Sequence, residues 1–191
     1  MLFRSLLTTQ LQHQDPSNPT STDSFTAELA QFAGVQQQVQ TNTNLTSLIS
    51  ATQDNQMASA VSLIGKITTA STSSLPLQSG TASLSFTAPQ AGDVAIAITD
   101  STGTVVKSET IDASVGTNTW TWDGKNNSGI QLSNGAYTVA VEGSSTDGTS
   151  VALPTTITGT VTGVSKGSTG VNIDMGSATI NMSDLTGFSS T

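Results

Sequence analysis

The chain has 191 residues, enough for one ordinary domain or two small ones. Thirteen acidic residues against five basic ones give a net charge of -8, which argues against nucleic acid and anionic membrane surfaces as partners. The absence of cysteine excludes a disulfide framework, thiolate metal sites and thiol catalysis together.

Only 9% of the residues are charged while 35% are hydrophobic, so this is not a charged disordered tail. Ser and Thr make up 61 of the 191 residues, a polar remainder that suits exposed β-sheet better than helical bundles. No apolar run is long enough to insert in a membrane. Residues 1–11 hold one Arg and no apolar stretch followed by a small-residue cleavage site, so no secretory signal peptide is expected. The pattern is already helical at Met1, which leaves the natural start of the chain open. The single His, His13, sits in a polar stretch before Asp15-Pro16 and reads as a solvated loop residue without triad or metal partners.

Leu2, Phe3, Leu6, Leu7 and Leu11 recur at helical spacing, and Pro16 predicts that this first helix ends near Gln14. A second helix is expected to start at Thr22 or Asp23, either of which can accept an orphan N–H as N-cap. Phe25, Leu29, Phe32, Gln36 and Val39 then form a thin heptad-like stripe, which Leu45, Leu48 and Ile49 continue with a shift in phase. Its flanks are rich in Gln, Asn and Thr. A stripe so flanked, next to an all-β body, points to a helix whose apolar face awaits a partner; packing on its own domain is the alternative. The helical pattern runs through Met57, Ala60, Val61, Leu63 and Ile64, and Gly65 is placed to stop it.

From Ile67 the period changes to two. Ala82, Leu84 and Phe86, then Val94, Ile96 and Ile98, then Val105 and Val106, Trp120 and Trp122, and Tyr137, Val139 and Val141 alternate with polar residues. Turn signals fall at Ala91-Gly92-Asp93, Asp100–Gly103, Asp123-Gly124, Asn134-Gly135 and Asp147-Gly148. Residues 76–150 therefore read as an immunoglobulin- or fibronectin-III-like sandwich of six or seven strands, anchored by the two Trp and Tyr137 and able to fold alone. The tail alternates too, at Val151 and Leu153, at Ile157 to Val161, at Val171, Ile173 and Met175, and at Ile180 and Met182. A hairpin turn is expected at Asp174–Ala178. About forty residues bury too little to stand alone, and the strand at Ile67 is the nearest candidate to complete them.

Four blocks in series resemble one family. Leu6-Leu7-Thr8-Thr9-Gln10-Leu11-Gln12-His13-Gln14-Asp15-Pro16 with Asn18-Pro19 is similar to the N-terminal signature of the flagellar hook-capping family, also called basal-body rod modification or hook assembly scaffold proteins. Phe25–Phe32 resembles its next block and Leu63-Ile64-Gly65-Lys66 a third; Trp122-Asp123-Gly124, Gly129 and Asn134–Val139 match its immunoglobulin-like insert. The chain departs from the pattern at Gly34-Val35-Gln36-Gln37, where relatives often carry Ser, Leu and Glu.

The resemblance implies a fold that is mostly β with an N-terminal helical region, the sandwich being inserted in a small Tudor-like (SH3-like) barrel. The implied divisions are a helical segment over 1–65, a barrel from 66–75 with 151–191, and the sandwich over 76–150. It further implies a homo-oligomeric, pentameric cap at the distal end of the growing hook, promoting hook-protein polymerisation and present only during assembly. Its partners would be hook protein, other copies of itself and the flagellar type III export apparatus, through which it leaves the cell uncleaved. Leu6, Leu7, Leu11, Phe25, Leu29, Phe32 and Val39 are the residues expected to bind hook or a neighbouring cap subunit. No catalytic residue, cofactor or metal is expected.

Other readings are weaker. Asp123, Asn126 and Asn127 supply oxygens as a calcium loop would, but the spacing is wrong and Asn134 stands where a bidentate Glu belongs; a tight turn with Asn and Gly in left-handed geometry is the simpler account. Trp120 and Trp122 could stack on sugars in a secreted adhesin-like module, but their shared parity reads as core. Asp100, Glu109 and Asp112 show no spacing that singles out an acid/base pair.

Overall fold

The computed structural model describes residues 20–145 and 147–189, with side chains for 26–145 and 147–188. Two compact units divide between Ser50 and Ala51.

One long helix, α1, spans Thr20–Ala60. Its described part is free of proline and has a single glycine, Gly34. Thr41, Thr43, Thr46 and Ser47 each donate to the carbonyl four residues back, so hydroxyls that would compete with helix are satisfied within it. Thr22 and Asp23 lie inside α1 rather than capping its start, a correction to the expected boundary. Polar residues near a helix start are tolerated, and an acid there meets the positive end of the dipole. The helix expected before Gln14 lies outside the described residues.

In the second unit, α1 ends against β-structure. Ala60 is fully buried, Met57 packs on the core, and Lys166 reaches Asp54 at 2.9 Å. A single 3-10 turn, Val61–Leu63, follows. Gly65 then adopts φ +83°, the stop expected of it, and its N–H donates to the Val161 carbonyl at 2.9 Å.

Thirteen strands follow: β1 (Ile67–Ser71), β2 (Ser74–Leu77), β3 (Ala82–Ala88), β4 (Gly92–Thr99), β5 (Val105–Ala113), β6 (Gly116–Trp122), β7 (Gly135–Ser144), β8 (Ser150–Ala152), β9 (Thr155–Thr160), β10 (Gly163–Lys166), β11 (Val171–Met175), β12 (Ala178–Asn181) and β13 (Leu185–Ser189). One sheet has the order β13-β1-β9-β3-β6, a second β2-β7-β4-β5 with β8 also on β7, and a third β10-β11-β12. The strand pairings of these sheets are antiparallel.

The alternation read from the sequence is the burial pattern. Ala82, Leu84, Phe86 and Ala88 of β3 point inward, as do Val94, Ile96 and Ile98 of β4 and Val139 and Val141 of β7. Trp122 is 1% exposed; its indole N–H donates to the Lys125 carbonyl and its ring meets Tyr137 edge-on with centroids 5.0 Å apart. Tyr137 is half-buried and its hydroxyl donates to the Ser133 carbonyl at 2.9 Å.

The strand at Ile67 does complete the tail: β1 lies between β9 and β13. Three strands, β2, β10 and β13, lie outside the strands that the alternation predicts. β2 holds Pro76 at the edge of its sheet, where a missing N–H costs least. Of the seven strands β2–β8, β2 begins before residue 76 and β8 ends after residue 150. β3 is flanked by β6 and by β9, so residues 155–160 finish the sheet that the sandwich begins. Met182 is not in a strand. Asn181 accepts from the Ser183 N–H at 3.0 Å and caps a 3-10 turn, Met182–Asp184, instead. The hairpin at Asp174–Ala178 is present, with Met175 opposite Ala178 and Gly176 at φ +66°.

Two of the passages between the first and second sheets, from β1 to β2 and then from β8 to β9, are tied to each other. Thr155 at the second crossing donates its hydroxyl to the Thr72 carbonyl at the first, at 2.8 Å.

Candidate functional site

The candidate residues of the long helix fall into three groups. Leu6, Leu7 and Leu11 lie outside the described residues, and Phe25 lies in α1 with its side chain undescribed. Leu29 is half-buried. Phe32 is 68% exposed and Val39 59%, although burying either would remove a large apolar surface from water.

The structure adds Val35, also exposed, which the four-three spacing through Gln36 leaves off the stripe. The signal was present: Val35 is three residues after Phe32 and four before Val39, so all three share one helix face. Leu45, Leu48 and Ile49 are exposed further along. From Leu29 to Gln53 the helix has no Asp, Glu, Lys or Arg, so nothing there offers acid/base or ionic chemistry. What it can do is bury apolar surface against another molecule.

The other candidates are structural. In the loop after β6, Asp123 accepts from the Lys125 N–H, Asn126 from the N–H groups of Ser128 and Ile130, and Asn127 from the Ser108 N–H. Those oxygens hold the turn together. The positive φ angles there belong to Gly124 and Gly129, not to Asn126 or Asn127, which corrects the expected geometry; a Cβ at Gly124 would lie 2.7 Å from the Gly80 carbonyl oxygen. Trp120 and Trp122 are both in the core and present no flat platform to a sugar.

The scattered carboxylates stay scattered. Asp100 follows β4, and hydrogen bonds from Thr102 and Thr104 hold its carboxyl below the usual range. Asp147 is lowered in the same way by Thr149. Glu109 faces Lys107 at 3.8 Å, and Asp112 sits directly opposite Asp93 across the β4–β5 ladder. Among the described residues no three His, Cys, Asp or Glu side chains gather as metal ligands would. A cleft of about 370 Å³ lies beside the β1–β2 and β8–β9 passages, between Ser73, Val139, Val141 and Pro154, with Glu142 as its only ionisable lining residue. It supplies no acid/base pair.

Residues 2–47 match the family model of the flagellar hook capping protein N-terminal region, and residues 71–147 that of the FlgD Ig-like domain. The chain is 33% identical over 184 residues to the basal-body rod modification protein FlgD of Salmonella typhimurium, covering 91% of this chain and 79% of that protein. The Escherichia coli protein of the same name gives the same identity and coverage. Among solved structures, FlgD from Xanthomonas campestris, described as giving insight into the hook capping essential for flagellar assembly, superposes with a TM-score of 0.59 at 26% identity, over 70% of this chain and 99% of that one. FlgD from Pseudomonas aeruginosa does so with a TM-score of 0.54 at 25% identity, over 64% and 95%.

Proposed function

The chain belongs to the FlgD family of flagellar hook-capping proteins, and on that premise we propose that it is a scaffold for hook assembly. The observation that carries this is the coincidence of the N-terminal family match, over 2–47, with the exposed, uncharged apolar stripe of α1. A protein whose work is to hold other subunits needs such a surface and no reaction centre. The roles named for the relatives, rod modification and hook capping, are roles in assembly.

In finer detail, the chain acts as a homo-oligomeric, pentameric cap at the hook tip, reached through the flagellar type III export apparatus without cleavage. Hook protein and neighbouring cap subunits are its partners, and Leu6, Leu7, Leu11, Phe25, Leu29, Phe32 and Val39 contact them. The body divides into a sandwich over 76–150 and a small Tudor-like barrel from 66–75 with 151–191. The pairing of β1 with β9 and β13, and the separate β10-β11-β12 sheet, support grouping the barrel strands, while β9 is shared with β3 of the sandwich. The immunoglobulin-like family match over 71–147 supports the sandwich.

Deleting the gene tests the function. Cells should keep basal bodies, lose hooks and motility, and release unpolymerised hook protein into the medium. Normal hooks in the deletion strain would refute it.

A further inference from the structure

Among the described residues β5 is the longest strand at a sheet edge: it has 9 residues and β4 is its neighbour on one side only. Such an edge offers a row of main-chain donors and acceptors to any extended chain that meets it. We propose that Asn127, in the loop after β6, is a surrogate strand that closes this edge against strand addition. Its main-chain N–H donates to the Val106 carbonyl at 3.0 Å, and its Oδ1 accepts from the Ser108 N–H at 3.0 Å. Its Nδ2 also donates to the Ser108 hydroxyl at 3.3 Å. The two main-chain groups of β5 so engaged point away from β4, on the side that a further strand would take. One residue thus presents the donor and the acceptor that a neighbouring strand would bring.

The loop is fixed from the core outward. The indole of the buried Trp122 donates to the Lys125 carbonyl, two residues before Asn127. The Asn126 N–H donates to the Ile130 carbonyl, and the Asn126 carbonyl accepts from the Gly129 N–H, which closes the loop on itself. The strand is shaped to match. The β4–β5 ladder shifts register where Ile98 faces Lys107 and Thr99 faces Val105, so β5 bulges at Val106, the residue that Asn127 engages. A bulge and charged side chains both discourage pairing at an edge, and Lys107 and Glu109 supply the charges directly after it. Thr110 has the outward parity of Ser108, but among the described residues no loop residue reaches it. It is the internal reference for an open edge.

Hydrogen exchange on the full chain tests the clamp. In the native chain the Ser108 amide should exchange roughly tenfold or more slower than the Thr110 amide, after correction for their intrinsic rates. Equal rates would overturn the proposal. Asn127→Ala removes the side-chain acceptor, so Ser108 should then exchange as fast as Thr110. Asn127→Asp keeps an oxygen in the same place and should leave Ser108 slow. A labelled peptide with the sequence of residues 105–113 tests the closure itself. It can pair antiparallel with the β5 edge, setting Lys107 of each against Glu109 of the other. It should bind the Ala variant, and neither the native chain nor the Asp variant. Binding to all three alike, or to none, overturns the proposal. Should the Ala variant fail to fold, Asn127→Ser, whose shorter side chain cannot span to Ser108, takes its place in both measurements.

Discussion

The side-chain amide of Gln78 pairs with the main chain of Thr160 as a neighbouring strand would. Its Nε2 donates to the Thr160 carbonyl and its Oε1 accepts from the Thr160 N–H, both at 2.8 Å. Gln78 follows β2 and Thr160 ends β9, so one side chain ties together segments that are 82 residues apart in the chain. Gly159 makes the approach possible: a Cβ there would lie 2.6 Å from the Met175 sulfur and 3.0 Å from Pro76 Cγ.

Gln78→Ala removes both hydrogen bonds from a half-exposed site where water can replace them. The expected loss is about 1–2 kcal/mol, read as a lower urea midpoint with an unchanged slope. Gln78→Glu should cost more than Ala, because its carboxylate would face the Thr160 carbonyl in place of a donor.

Thr68 of β1 is fully buried and its hydroxyl has no hydrogen-bond partner. Thr68→Val replaces that hydroxyl by a methyl group of similar size and should raise stability by about 1 kcal/mol. A lower thermal midpoint for this variant would mean the hydroxyl has a partner in solution.

The sandwich borrows a strand, which bears on how it folds in isolation. A fragment of residues 76–150 lacks β9, the neighbour of β3 at Leu84–Ile157, and cuts β2. That fragment should show no cooperative melt, whereas residues 67–189 should melt in one transition. The comparison is a pair of thermal scans.

Much of this architecture was legible and some was not, for physical reasons. Strands with one buried face announce themselves by parity, as at Leu84 and Phe86 or Ile96 and Ile98, and Gly65 marks the helix end because its φ is positive. Parity cannot say which strand pairs with which, so the sharing of β9 between β1 and β3 was hidden. Short edge strands such as β10 and β13 bury too little to leave a pattern, and Pro76 masked β2. On α1 the apolar spacing is visible, but a strict four-three alternation runs through Gln36 and leaves Val35 off the stripe.

Stability should bend at both ends of the pH scale. Asp100 and Asp147 have carboxyls held below their ordinary range by hydrogen bonds from Thr102 and Thr149, so they favour the folded state above about pH 4 and lose that contribution as pH falls through their folded values. Tyr137 is pushed up, mainly by burial and then by Asp100, so its contribution is complete below about pH 10 and is lost as pH rises beyond it. Asp100→Asn should flatten the acid arm and Tyr137→Phe the alkaline arm of a melting-temperature curve.

The central claim is that hook assembly depends on an exposed stripe that the β body does not need. The most direct measurement is hook length by electron microscopy in cells carrying Phe25→Ser with Phe32→Ser, alongside the melting curve of the purified variant. The account predicts no hooks and free hook protein in the medium, with the midpoint of the β body unchanged. Hooks of normal length, or a lowered midpoint, would contradict it.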